Sequence, residues 1–167
     1  ISDNLAFTIE QQENNEVVFA FSTQTGRAQW SFEYAAKFEE YFGGIGPRST
    51  PTWNDDRLYT LGAKGHLHCL NAKTGKRIWE KNLMTENKAE IPYWGVSSSP
   101  LVYKNTVILV PGGKNDNAII ALDKASGKKV WSTLNGVQTY STPLLLKLLG
   151  KEQPVSYTHL RAHETDS

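Results

Sequence analysis

Ala121-Leu122-Asp123-Lys124-Ala125-Ser126-Gly127-Lys128-Lys129-Val130-Trp131 has two echoes upstream, at residues 20–30 and 69–79. The first reads Ala-Phe-Ser-Thr-Gln-Thr-Gly-Arg-Ala-Gln-Trp, the second Cys-Leu-Asn-Ala-Lys-Thr-Gly-Lys-Arg-Ile-Trp. Each copy opens on a small residue, places Ser/Thr-Gly at its sixth and seventh positions, and closes on Trp at its eleventh. The closing residues Trp30, Trp79 and Trp131 follow at steps of 49 and 52 residues. An apolar stretch runs into each copy (Val17-Val18-Phe19, Leu67, Ile119-Ile120). Gly26, Gly75 and Gly127 supply the positive φ that a tight turn needs, and the strand that follows carries the Trp. Each copy is therefore a hairpin with an aromatic anchor at a fixed place. A lone hairpin is not stable in water, so a hairpin repeated at this period points to units that pack on one another, as in a propeller or solenoid.

The three copies resemble the tryptophan-docking repeats of the pyrroloquinoline-quinone-type β-propellers, whose pattern is Ala-x-Asp-x-x-Thr-Gly-x-x-x-Trp. The third copy has Ser126 for Thr, the first has Ser22 for Asp, and the second has Cys69 for Ala and Asn71 for Asp. The family includes quinoprotein alcohol dehydrogenases and the outer-membrane assembly propeller lipoprotein. The resemblance covers about residues 5–153. It implies a fold that is all-β, a partial β-propeller of about three four-stranded blades from a larger seven- or eight-bladed ring. It also implies a structural role for the docking residues Gly26, Trp30, Gly75, Trp79, Gly127 and Trp131.

Taken in order, the expected propeller segment is 1–153: blade one at 1–33, blade two at 48–84, blade three at 97–134 and the start of blade four at 141–153. Ser49-Thr50-Pro51, Ser98-Ser99-Pro100 and Ser141-Thr142-Pro143 correspond, and each Pro opens a strand, where a missing N–H is tolerated. No helix is expected, beyond a turn of one over Glu39–Phe42. The chain begins at Ile1, within a blade, and is read as a fragment. Residues 154–167 are expected to be non-native. Val155 to Thr165 matches a translated transposase-type sequencing adapter, which removes His159 and His163 from functional consideration.

The formal net charge is +1, and about +2 without that tail, which argues against nucleic acid as a partner. The basic residues at the hairpin tips, such as Lys73 and Lys124, read as a solvated rim. No unbroken apolar run, Val107 to Val110 among them, approaches a membrane span of about 18 residues. The single Cys leaves no intrachain disulfide.

In the family, the segment before each inner strand lies at the mouth of the central channel. Arg48, Trp94 and Tyr140 fall there and are the possible channel-mouth ligand contacts. An Arg beside aromatic rings suits an anion or a planar ligand. The plainer reading, which we favour, pairs Arg48 with a carboxylate or with backbone carbonyls between blades. His66, His68 and Cys69 suggest a metal, but on a strand the first two share one face and Cys69 takes the other. Asn115-Asp116-Asn117 reads as a turn rather than a Ca²⁺ site, and Glu39-Glu40 as a solvated face. No catalytic residue and no metal site are assigned.

The functional expectation is a non-catalytic exported propeller, a binding or assembly scaffold that takes a protein or small-molecule ligand at its face. Periplasmic or other export rests on the resemblance alone. The alternative is a pyrroloquinoline-quinone-dependent alcohol or sugar dehydrogenase with Ca²⁺. Such enzymes hold the metal with Glu, Asn and Asp, use an Asp base, and often carry a vicinal Cys pair. Those acidic residues find no counterpart positions here, and the chain has no Cys-Cys. No cofactor is expected outside that alternative.

Overall fold

The computed structural model describes residues 4–156. A three-stranded antiparallel sheet comes first: β1 (Leu5–Gln12), β2 (Asn15–Ser22) and β3 (Ala28–Ala35). A short pair follows, β4 (Glu39–Glu40) with β5 (Gly44–Ile45). The next sheet has four strands: β6 (Thr52–Asn54), β7 (Arg57–Leu61), β8 (His66–Asn71) and β9 (Arg77–Asn82). After α1 (Leu83–Asn87) comes a second four-stranded sheet, β10 (Leu101–Tyr103), β11 (Thr106–Leu109), β12 (Ile119–Asp123) and β13 (Lys129–Thr133). A two-stranded pair, β14 (Leu144–Leu148) and β15 (Lys151–Val155), closes the described chain. Within every sheet the strands pair in sequence order, the up-and-down meander of a propeller blade. The first strands β6, β10 and β14 lie side by side.

The blades stack through two cores. In β7 and β8, alternate side chains serve opposite neighbours, as the period of two in a strand requires. Leu58 and Leu70 join Ile9, Val18 and Ala72 in a cluster against the first sheet. Tyr59, Leu61, Leu67 and Cys69 join Val107, Leu109, Ile120 and Leu122 in a cluster against the third. The central blade is thus buried on both faces, which is why its inner strands read as nearly continuous apolar runs.

Two local expectations fail. α1 forms directly after β9, where no helix was expected. Asn82 caps it, its Oδ1 accepting from the Met84 and Thr85 amides at 3.1 Å each, and Lys88 ends it in the left-handed region. A single capped turn is too short to show a helical period in sequence. Residues 39–45 form the β4–β5 hairpin instead of a helical turn. Of the expected non-native tail, Pro154 and Val155 lie in β15, opposite Leu145 and Leu144. Residues 157–167, including His159 and His163, lie outside the described residues.

Candidate binding face

The repeated hairpins set the blade spacing. At each one the small residue lies directly opposite the Trp: Ala20 faces Trp30, Cys69 faces Trp79, and Ala121 faces Trp131. The register shifts immediately after all three, at Ala20/Phe21, Cys69/Leu70 and Ala121/Leu122. Such a bulge bends the strand and re-aims its side chains. The third position holds the turn. Asp123 Oδ1 accepts from the Ala125 and Ser126 amides (3.2 and 2.8 Å), Asn71 Oδ1 from the Lys73 and Thr74 amides (3.1 and 3.0 Å), and Ser22 Oγ from the Gln24 and Thr25 amides (3.3 and 3.2 Å). Hydrogen bonding to Ser126 holds the Asp123 carboxyl below the usual carboxylate range.

Each indole reaches the next blade. Trp30 Nε1 donates to the Ala72 carbonyl at 3.0 Å and Trp79 Nε1 to the Lys124 carbonyl at 3.3 Å, the fourth position of the following hairpin in both cases. A Cβ built on Gly75 would lie 2.6 Å from the Trp30 ring, and one on Gly127 would lie 2.9 Å from Trp79. Only Gly fits these places, because its φ is also positive there (+71° and +70°). Tyr59 and Arg57 add bonds from blade two to the carbonyls of Lys124 (3.0 Å) and Ala125 (3.2 Å). Lys124 itself, expected on a solvated rim, reaches back to Asn54 (3.1 Å) and Asp55 (2.7 Å). Among the described residues none beyond its chain neighbours comes within 4 Å of the Gly26 Cβ position, and Trp131 is 42% exposed.

A second ladder runs along the inner strands. The Thr50 amide donates to Ser99 Oγ at 2.8 Å, and the Ser99 amide donates to Thr142 Oγ1 at 2.9 Å. The three Ser/Thr-Pro segments thus bond to one another in sequence order. This places the connections before them, residues 36–48, 83–97 and 134–140, on one face.

Between blades one and two lies a buried polar group. Glu16, fully buried, accepts from the Ala63 amide at 2.9 Å and from the Tyr34 hydroxyl. Burial, with Glu16 beside it, pushes the Tyr34 hydroxyl far above its ordinary range. His68 packs on Tyr34 and Phe32 (ring centres 4.2 and 5.1 Å apart) and runs nearly parallel to His66. Burial first, then His66 and Arg77, lowers its pKa from 6.5 to about 3. His68 is therefore neutral near pH 7, and its 3.5 Å approach to Glu80 is not an ion pair. Cys69 turns to the other side, where its Sγ is 3.8 Å from Arg57 Nη1 and burial raises the thiol pKa.

On the connection face, Arg48 binds its own loop. It donates to Glu40 Oε1 at 3.2 Å, to the Gly44 and Gly46 carbonyls at 3.2 Å, and to the Ile45 carbonyl at 3.5 Å. Glu40 is not the solvated carboxylate expected: its side chain is 7% exposed and also accepts from the Phe42 and Gly43 amides. That loop projects Phe42, whose ring lies 5.9 Å from Trp94. Trp94 in turn contacts Tyr93 at 4.9 Å, and its amide lies 3.5 Å from the Tyr140 hydroxyl. Tyr41 (89% exposed), Phe42, Tyr93, Trp94 and Tyr140 are all exposed. Trp94 and Tyr140 therefore come together, while Arg48 is held within its own loop, its guanidinium 5.6 Å from the centre of the Phe38 ring. Sequence reasoning missed Phe42 and Tyr41. Their signal was the aromatic content of residues 34–47.

Beside this row is a cleft of about 1090 Å³, lined by Lys88–Tyr93, Pro111–Lys114 and Asn135–Ser141. Its base is tied by a mutual backbone bridge, Gly113 with Gly136 (2.7 and 3.1 Å). Gly112 is required there, since a Cβ would lie 2.3 Å from the Gln138 amide nitrogen. Asn115-Asp116-Asn117 forms a turn at the rim, with Asp116 bound to Asn135 (3.0 and 3.1 Å) and Asn117 to Lys129 (2.8 Å).

Sheets of sequential antiparallel strands, joined blade to blade by indole-on-glycine contacts, define a β-propeller of the quinoprotein type. The chain belongs to the family whose profile, described as outer membrane protein assembly factor BamB, matches residues 14–159. It is 30% identical over 90 residues to outer membrane protein assembly factor BamB of Xanthomonas campestris pv. campestris, covering 53% of this chain and 21% of that protein. It is 24% identical over 106 residues to the quinoprotein alcohol dehydrogenase PedH of Pseudomonas putida, covering 64% of this chain and 16% of the relative. Among solved structures, BamB from Moraxella catarrhalis superposes with a TM-score of 0.59 at 20% identity, over 86% of this chain and 38% of that one. The chain spans about a fifth of the length of these curated relatives.

Proposed function

We propose that this propeller is a non-catalytic binding or assembly scaffold that works in an exported compartment and engages a protein partner through its inter-blade connection face. The row of exposed rings on that face, Tyr41, Phe42, Tyr93, Trp94 and Tyr140, carries the reading. Aromatic residues are enriched at protein interfaces and dominate their binding energy. The likeness to BamB supports a protein partner and an envelope location. The quinoprotein relatives keep a quinone-dependent dehydrogenase as the second reading. Among the described residues no group of three or more His, Cys, Asp or Glu side chains is placed to hold a metal ion. Arg48, the cation proposed for the channel mouth, is engaged by Glu40 and three carbonyls.

A photo-crosslinking residue at position 94, compared with one at Gln24 on a hairpin tip, tests this reading in the producing cell. The expected result is a discrete protein adduct from position 94 and none from position 24. Equal labelling at both positions, or none at either, would contradict it.

A further inference from the structure

The proposed scaffold role does not require the cleft beside the aromatic row, yet the cleft has features of a ligand site. Gln138 lines it at 8% exposure. Its Nε2 makes only a long 3.5 Å contact to Ser98 Oγ, and its Oε1 is buried with no hydrogen-bond partner among the described residues. A buried amide oxygen left unpaired is costly, and an incoming N–H would relieve that cost. Ile91, Tyr93 and Val137 stand on the cleft walls, 44%, 65% and 76% exposed. These are apolar surfaces awaiting cover.

Charge narrows the class of ligand. Lys88 and Lys114 come from two different segments of the lining, both exposed and neither in an ion pair among the described residues. Lys129 nearby is already held by Asn87 (3.3 Å) and Asn117 (2.8 Å). Glu90 is the single acid in the lining. The cleft therefore offers apolar lining, one buried acceptor and two cations that form no ion pair among the described residues. Its volume of about 1090 Å³ lies at the upper end of small-molecule pockets, and it opens beside Tyr140 and Tyr93 onto the aromatic row.

We propose that this cleft binds an extended polypeptide segment of alternating apolar and acidic residues. A backbone N–H of the segment bonds to Gln138 Oε1, and its carboxylates lie against Lys88 and Lys114. An extended chain suits this geometry because successive side chains point to opposite faces, one set onto Ile91 and Val137 and the other to the lysines. The proposal rests on the scaffold reading, to which it adds a partner chemistry and a specific seat.

The test is fluorescence anisotropy with the whole chain and a labelled peptide of about ten residues alternating Leu and Glu, about 33 Å when extended. Its Leu/Lys counterpart and a neutral glucose oligosaccharide serve as comparison ligands. The Leu/Glu peptide is expected to bind, and to bind more tightly than either comparison. Lys88→Glu with Lys114→Glu should weaken it about tenfold without moving the melting temperature, since both residues are exposed. Gln138→Leu should weaken it about three- to tenfold while leaving melting unchanged or raised, because it removes an unpaired buried oxygen. A purely structural role for Gln138 would not produce that split. Equal binding of the Leu/Lys peptide, preference for the oligosaccharide, or unchanged affinity in the double lysine variant would overturn the proposal. Should Gln138→Leu fail to fold, the lysine variant still decides. Peptide binding that fails while the position-94 adduct persists would refute this occupant and leave the scaffold reading standing.

Discussion

Trp79 shows how much one residue carries. Its ring covers Gly127, its Nε1 bonds to the Lys124 carbonyl at 3.3 Å, and its centre lies 5.9 Å from Tyr59. Removing it would uncover Gly127 and leave the hairpin of blade three held to blade two by the Tyr59, Arg57 and Lys124 bonds alone. Trp79→Ala should cost ~3–5 kcal/mol in chemical denaturation, as for other large aromatic truncations in cores. A variant of unchanged stability would show that the indole does not tie the blades together. His68 gives a pH dependence of known sign. Its folded pKa of about 3 lies below the ordinary 6.5. Between those values the unfolded chain binds a proton that the folded chain excludes. Stability from this group is thus full above pH 6.5 and declines as pH falls toward 3. Melting temperature followed from pH 7 to pH 4 should drop, and His68→Phe should flatten part of that drop. An identical slope in the variant would refute the assignment.

Elements were legible to the degree that their signal repeats. The inner strands of the two four-stranded sheets, β7, β8, β11 and β12, carry the clearest apolar signal, because they have apolar side chains to bury. The bulge after Ala20, Cys69 and Ala121 was implicit in the small residue opposite each Trp, but pairing register is a long-range property. α1 was not legible, since its stability comes from a cap and from burying Leu83 and Met84 against the inter-blade core rather than from an amphipathic period. Arg48 does pair with a carboxylate and with carbonyls, as the favoured reading has it, but within its own loop rather than between blades. That Glu40 is the partner was hidden, because a loop carboxylate gives no sign in sequence that it will be covered. The cap makes a separate prediction. Asn82→Ala removes both N-terminal acceptor bonds of α1 and should destabilise by about 1 kcal/mol in thermal or urea melts. Because α1 leads into residues 88–93 of the cleft, the same variant should also loosen amide exchange protection there. No change in either readout would mean that the helix does not position the cleft.

At the scale of the molecule, the blades use one device twice, and its unmatched halves are Gly26 and Trp131. The repeats point to packed units, a propeller or solenoid, and the resemblance implies the propeller; the Trp and the Gly that receives it are separate positions of one sequence pattern. The candidate face was only partly legible. The resemblance sets the segments that hold Trp94 and Tyr140 ahead of the inner strands, and the Trp94 amide lies 3.5 Å from the Tyr140 hydroxyl. The cleft arises from three connections of different length and composition, and no repeat announces it. The central claim is that this propeller acts by surface recognition rather than by seating a quinone. The most direct test is the melting temperature of the whole chain titrated with pyrroloquinoline quinone and Ca²⁺. The scaffold account predicts no shift at any concentration of the pair. A saturable rise that requires both quinone and Ca²⁺ would contradict it and establish the dehydrogenase reading in its place.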